Sequence, residues 1–168
     1  MNETVSGGAR PRTLAEAASS VLPRLREVTE ESVQVYRRDG DRRICVASAE
    51  PPTGLRDTVP VGAILPMTRG SGAKVLAAWA DPATQRTLLA DATYTERQLA
   101  DVRRRGWAQS VAEREAGVAS ISAPIRDAAG TVVAAISVSG PVDRIGRRPG
   151  VKWAADLLAA ADAIHKRL

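Results

Sequence analysis

Gly70-Ser71-Gly72-Ala73-Lys74 gathers small residues, a hydroxyl and a cation into five positions. Two familiar chemistries fail on this run. A phosphate-binding P-loop needs wider glycine spacing and a Ser or Thr after the lysine, where this chain has Val75. Ser71-x-x-Lys74 has the S-x-x-K spacing of penicillin-interacting serine enzymes, but S-D-N and K-T-G occur nowhere in the chain. The run does offer a small-residue turn ahead of a helix, where free N–H groups and the helix dipole favour an anion such as a carboxylate. It equally suits a turn selected for close packing alone. In a strand, Ser137 and Ser139 of Ala134-Ala135-Ile136-Ser137-Val138-Ser139-Gly140-Pro141 would share one face and Ile136 and Val138 the other. Side-by-side hydroxyls suit a polar small molecule, although pattern alone favours an ordinary solvent-facing sheet surface.

The remaining reactive residues exclude more than they suggest. One cysteine, Cys45, permits neither an internal disulfide nor a multi-cysteine metal site, and fits a reducing compartment. The one histidine, His165, lies three residues from the C-terminus, where a general base would be frayed. No nucleophile and base stand out as a pair, so the expectation is a protein without catalytic residues, metal or cofactor.

The elements that must position these residues follow from periodicity. Ala17, Ala18, Val21, Leu22, Leu25 and Val28 have helical spacing, with Pro23 expected to kink or restart the helix. Val33 and Val35, then Ile44 and Val46, alternate with polar or small neighbours across Arg38-Asp39-Gly40-Asp41, a β-hairpin signal. Leu55 to Val59 reads as a short extended stretch, and Val61 to Met67 as a loop or strand entering the small-residue turn. A helix with Val75, Leu76 and Trp79 follows, then one capped by Asp81-Pro82, then one opened by the capping box Thr95-x-x-Gln98 and ended by Gly106. Val118 to Ile125 and Thr131 to Val138 form a second hairpin around Asp127 to Gly130, and a helix from about Gly150 to Arg167 closes the chain. The order predicts α+β with an antiparallel sheet.

At 168 residues, 44% hydrophobic and 26% charged, the chain should bury one core as a single domain over 13–168, with 1–12 as a tether. No apolar run approaches a membrane span and none at the N-terminus suggests a signal peptide, so a cytoplasmic protein is expected. The +5 net charge would suit nucleic acid, but it is mostly arginine dispersed along the chain, the pattern of a solvated surface.

Taken together, four segments resemble the effector-binding domain of IclR-type bacterial transcription regulators. They are Val61 to Met67 running into Ser71 to Ala78, Arg105-Gly106-Trp107-Ala108 followed by Glu113 to Val118, Ile121 to Asp127, and Ala134 to Pro141. The resemblance covers roughly Leu14 to Leu168. It implies a GAF-like fold, a curved antiparallel sheet with flanking helices, and a pocket for a small organic or aromatic acid at Leu65, Met67, Ser71, Gly72, Ser110, Ser120, Ser137 and Ser139. It also implies a homodimer or tetramer that touches DNA only through a winged helix-turn-helix, which this chain is not expected to contain. A free-standing GAF-type sensor acting outside transcription is the alternative. Thr68, Arg69, Ala73 and Ser110 depart from the family pattern. Arg69 would suit an anionic ligand at the pocket mouth, though a surface position is the ordinary expectation for arginine.

Overall fold

The computed structural model describes residues 12–168, and the expected tether falls, but for Arg12, outside them. The chain builds α1 (Leu14–Thr29), β1 (Ser32–Asp39), β2 (Arg42–Ala49), β3 (Ile64–Pro66), α2 (Ser71–Ala78), α3 (Pro82–Ala90), α4 (Glu96–Arg105), β4 (Ala108–Val111), β5 (Val118–Arg126), β6 (Val132–Pro141), α5 (Val142–Ile145) and α6 (Pro149–His165). All six strands join one curled antiparallel sheet in the order β3-β2-β1-β6-β5-β4. Among the described residues no helix is long and apolar enough to cross a membrane.

The sheet separates two cores. On one face α1 and α6 lay Ala17, Ala18, Leu22, Leu25, Trp153, Leu157 and Ile164 over Val33, Val35, Ile121, Ile125, Ile136 and Val138. Each buried Val, Leu or Ile side chain there contributes roughly 1.5–3 kcal/mol by leaving water. On the other face α2 is buried along its whole length and joins Tyr36, Cys45, Met67, Tyr94, Leu99 and Val102. The predicted caps are present: Asp81 opens α3, Thr95 and Gln98 close the capping box of α4, and Gly106 ends α4 in the left-handed region; Thr13 also caps α1.

Several expectations are revised. Helix α1 runs through Pro23 without restarting, with Pro23 on its exposed side. Residues 55–59 form no strand, while β4 and the single-turn α5, which lacked periodic signals, are present. In β2 the buried side chains are Arg43, Cys45 and Ala47, and Ile44 and Val46 are half-buried. A bulge divides Cys45 and Ala47 between the two cores: Val35 pairs with Ala47 but Tyr36 pairs with Cys45, so Val46 is the extra residue and the strand exchanges faces there, Ala47 joining the α1–α6 side and Cys45 the α2 side. Arg43 thereby turns inward beneath α2. His165 is not frayed, since its Nδ1 lies 2.8 Å from the Arg126 carbonyl oxygen.

Candidate ligand site

Strand register assembles a polar plate on the α2 side of the sheet. Ser32 of β1 pairs with Ser139 of β6, Ser139 with Ser120 of β5, and Ser120 with Ser110 of β4, which gives four serines in one row across four strands. The adjacent row is Gln34, Ser137 and Ser122. Ser137 and Ser139 are therefore buried rather than solvent-facing, each 3% exposed, because α2 covers the middle of the sheet. That corrects the expectation drawn from alternation, which cannot tell a face covered by a helix from one covered by water.

The hydroxyls satisfy one another. Ser71 at the first turn of α2 lies 2.6 Å from Ser120 Oγ and 2.7 Å from Ser122 Oγ, and Ser122 lies 2.5 Å from Ser137 Oγ. Ser139 Oγ donates to Asp57 Oδ2 at 2.8 Å and accepts from Gln34 Nε2 at 3.0 Å. Gly70, with φ of 101°, opens α2 without a side-chain cap, which leaves the first N–H groups of the helix without a side-chain acceptor. Gly72 is fixed by proximity to Arg43: a Cβ there would sit 2.5 Å from Arg43 Nη1 and 3.4 Å from Tyr36 Cδ2.

Three charged residues complete the site. Arg114, on the loop between β4 and β5, donates through Nη2 to Asp57 Oδ2 at 2.5 Å and through Nη1 to Glu115 at 3.2 Å. Burial alone would lower the Arg114 pKa, but the hydrogen bond and charge of Asp57, with help from Tyr36 and Glu115, leave it raised. Arg43 is 3% exposed and has no ion-pair partner among the described residues. Its guanidinium lies 4.7 Å from the Tyr36 ring centre and donates only to the carbonyls of Pro66 at 3.3 Å and Arg69 at 3.4 Å. Burial pulls its pKa below the ordinary range. Two guanidiniums against one carboxylate give this buried region a surplus positive charge, to which the α2 N-terminus adds.

Ser71, Ser120, Ser137 and Ser139 line one small cavity with Gln34, Tyr36, Arg43, Asp57, Gly70 and Arg114, leaving about 10 Å³ of open space. Leu65 and Met67 lie apart from it in a groove of about 410 Å³ between β3 and α3, and Ser110 lines a polar hollow of about 340 Å³ beside α4. Lys74 faces that hollow as well, fixed to Gln109 O at 2.9 Å and Glu113 at 2.8 Å. Arg69 is exposed. Gln34, Arg43, Asp57 and Arg114 were missed by sequence reasoning. A usable signal existed for the plate, the recurring polar-apolar-polar triplets Ser32-Val33-Gln34, Ser120-Ile121-Ser122 and Ser137-Val138-Ser139. No local signal marked Asp57 or Arg114, which lie in irregular loops. Among the described residues no group of His, Cys, Asp and Glu is placed to hold a metal.

Comparison with known proteins places this architecture. A family model described as bacterial transcriptional regulator IclR C-terminal matches residues 9–166. The HTH-type transcriptional regulator BhcR of Paracoccus denitrificans is 34% identical over 145 residues, 79% of this chain and 52% of that protein. A transcriptional regulator from Rhodococcus sp. RHA1 superposes with a TM-score of 0.86 at 26% identity, covering 94% of this chain and 70% of that one. The C-terminal domain of a Vibrio cholerae transcriptional regulator gives 0.79 at 28% identity, over 96% and 98% of the two chains. The chain spans about half the length of the first curated relatives it matches. It belongs to the IclR family of bacterial transcriptional regulators and corresponds to the family's C-terminal domain.

Proposed function

We propose that this domain is the effector sensor of a cytoplasmic, homo-oligomeric transcription regulator, that it binds a small organic acid, and that it catalyses no reaction. One observation carries the reading: the surplus guanidinium of Arg43 is buried against an array of hydroxyls and a helix N-terminus, with no acidic residue of its own. A buried cation without a counter-charge is costly, and a ligand carboxylate supplies the missing charge. Ser71, Ser120, Ser137 and Ser139 then orient the acid, with Gly72 leaving room for the Arg43 guanidinium. Leu65, Met67 and Ser110 are assigned to the walls of neighbouring cavities that a larger effector would reach. Coupling between effector and the rest of a regulator is typically about 1–3 kcal/mol, enough to change promoter occupancy several-fold.

The test is a thermal-shift screen of acetate, oxalate, succinate and benzoate on the wild-type chain and on Arg43→Met. Saturation to about 100 Kd should stabilise the wild type by about 2.7 kcal/mol, a rise of roughly 5–10 °C for a domain of this size. Arg43→Met should keep its fold and lose the response. Equal responses in both proteins would refute the assignment of Arg43.

A further inference from the structure

Asp57 is anomalous for its location. It lies in the connection between β2 and β3, and among the described residues no backbone–backbone hydrogen bond involves positions 51–59. Leu55, two residues earlier, is 74% exposed. The Asp57 side chain nevertheless reaches the polar plate, and its Oδ2 receives both Arg114 Nη2 and Ser139 Oγ. A guanidinium and a serine hydroxyl on one carboxylate oxygen is the recognition chemistry expected for an acid ligand. The open space beside them is about 10 Å³, room for no more than about one water. A carboxylate of any size cannot join this cluster unless something leaves.

We infer that Asp57 is an internal stand-in for the effector carboxylate, and that the effector binds by displacing it and releasing segment 51–59. The inference rests on the effector-site reading above and specifies how that site is regulated. The other lining groups stand on sheet strands, on α2 or on the β4–β5 loop, whereas the Asp57 segment has no backbone–backbone hydrogen bonds among the described residues and is held by side chains, with Val59 anchoring its end in the α2-side core. Ser32 Oγ donates to the Asp57 carbonyl at 2.6 Å, and Arg144 Nη2 donates to the Leu55 carbonyl at 2.7 Å. A segment with so few backbone bonds opens at lower cost than a strand. Arg144 also pairs with the buried Glu31 at the start of β1, so release of Leu55 is felt where α1 meets the sheet. The fitting effector is a compact dicarboxylate: one carboxylate takes the place of Asp57 against Arg114 and Ser139, the other supplies the charge that Arg43 lacks, and affinity is set by competition with Asp57.

The experiment uses Asp57→Ala and Asp57→Asn in the full chain, with acetate as probe and acetamide as its neutral analogue. Acetate should raise the melting temperature of Asp57→Ala well beyond its effect on the wild type, and acetamide should raise neither. Succinate, titrated calorimetrically, should bind Asp57→Asn at least about tenfold more tightly than wild type, the weight of one charge-assisted hydrogen bond no longer contested. Limited tryptic cleavage after Arg56 in the wild type, which needs no variant to fold, should be faster when succinate is bound. Wild-type binding with slower cleavage after Arg56, or with no gain in either variant, would overturn the stand-in role and leave the effector site intact. Absence of carboxylate binding in every protein would overturn both.

Discussion

Removing the Ser139 hydroxyl should destabilise the free domain more than removing the Ser137 hydroxyl, although the two residues are adjacent on one strand face. A serine that merely awaited a ligand would be solvated when the site is empty, and its loss would leave the melting temperature nearly unchanged. The geometry says otherwise. Ser139 Oγ donates to Asp57 Oδ2 at 2.8 Å and accepts from Gln34 Nε2 at 3.0 Å, all within a buried cluster. In Ser139→Ala the carboxylate loses one of its two donors, and Gln34, 1% exposed, loses the acceptor of its amide. A hydrogen bond to a charged group is worth about 1.5–3 kcal/mol, and a stranded buried polar group costs about 1–3 kcal/mol. Allowing for partial relaxation, about 2–3 kcal/mol is expected, or roughly 4–12 °C in Tm. Ser137 touches Ser122 alone, and Ser122 keeps its contact with Ser71 in Ser137→Ala. One neutral bond is lost there, about 1 kcal/mol and roughly 2–4 °C. Calorimetric melts of the three proteins without added acids decide it. Equal melting temperatures for the two variants would refute the internally satisfied network.

Two further outcomes follow from single contacts. Gly72→Val should displace the Arg43 guanidinium, because the new Cβ alone would lie 2.5 Å from Nη1; carboxylate binding should fall at least about tenfold in titration calorimetry, while far-UV circular dichroism is unchanged. Burial pushes the Cys45 thiol up to about 11 from its ordinary 9.0, so the folded state holds that proton more tightly than the unfolded chain. The stability this represents is fully present below about pH 9 and is lost as pH rises toward 11, so urea midpoints should fall over that window less steeply in Cys45→Ala than in the parent.

The fold was legible wherever a local rule forced a local outcome. Capping residues at Thr95, Gln98 and Asp81 and the left-handed stop at Gly106 each act within one helical turn, and the hairpin turns at Gly40 and Gly130 act within one strand pair. Strand faces were less legible. In β2 the alternation of Ile44 and Val46 suggested that these two face the core, but the bulge opposite Val35 and Tyr36 reverses the faces along that strand. Nothing within β2 announces a bulge, since it is settled by pairing with β1. The polar plate failed for a related reason: a serine-bearing face reads as exposed unless one knows that α2, whose Ser71 is 49 residues from Ser120 in sequence, lies across it. The resemblance of Ser71, Ser120, Ser137 and Ser139 to family positions supplied that information where periodicity did not.

The charged members of the site show the limit most clearly. Arg43, Asp57 and Arg114 stand in a strand, an irregular connection and a hairpin loop, and they meet only because β1 lies between β2 and β6 while β5 lies beyond β6. Departure from the family pattern instead directed attention to Arg69, adjacent to the small-residue turn, and Arg69 is exposed, as is ordinary for arginine. A surface arginine and a buried one are indistinguishable by residue type, but their energetics are opposite. The exposed charge is solvated and contributes little, whereas Arg43, confined beneath α2, must be balanced by whatever the fold or a ligand brings. With Asp57 already committed to Arg114, the fold brings carbonyl oxygens to Arg43 at 3.3 and 3.4 Å and one aromatic face. Dipoles and a ring quadrupole offset part of a buried charge and a carboxylate offsets more, so the imbalance at Arg43 is what supports the proposal of an organic-acid ligand.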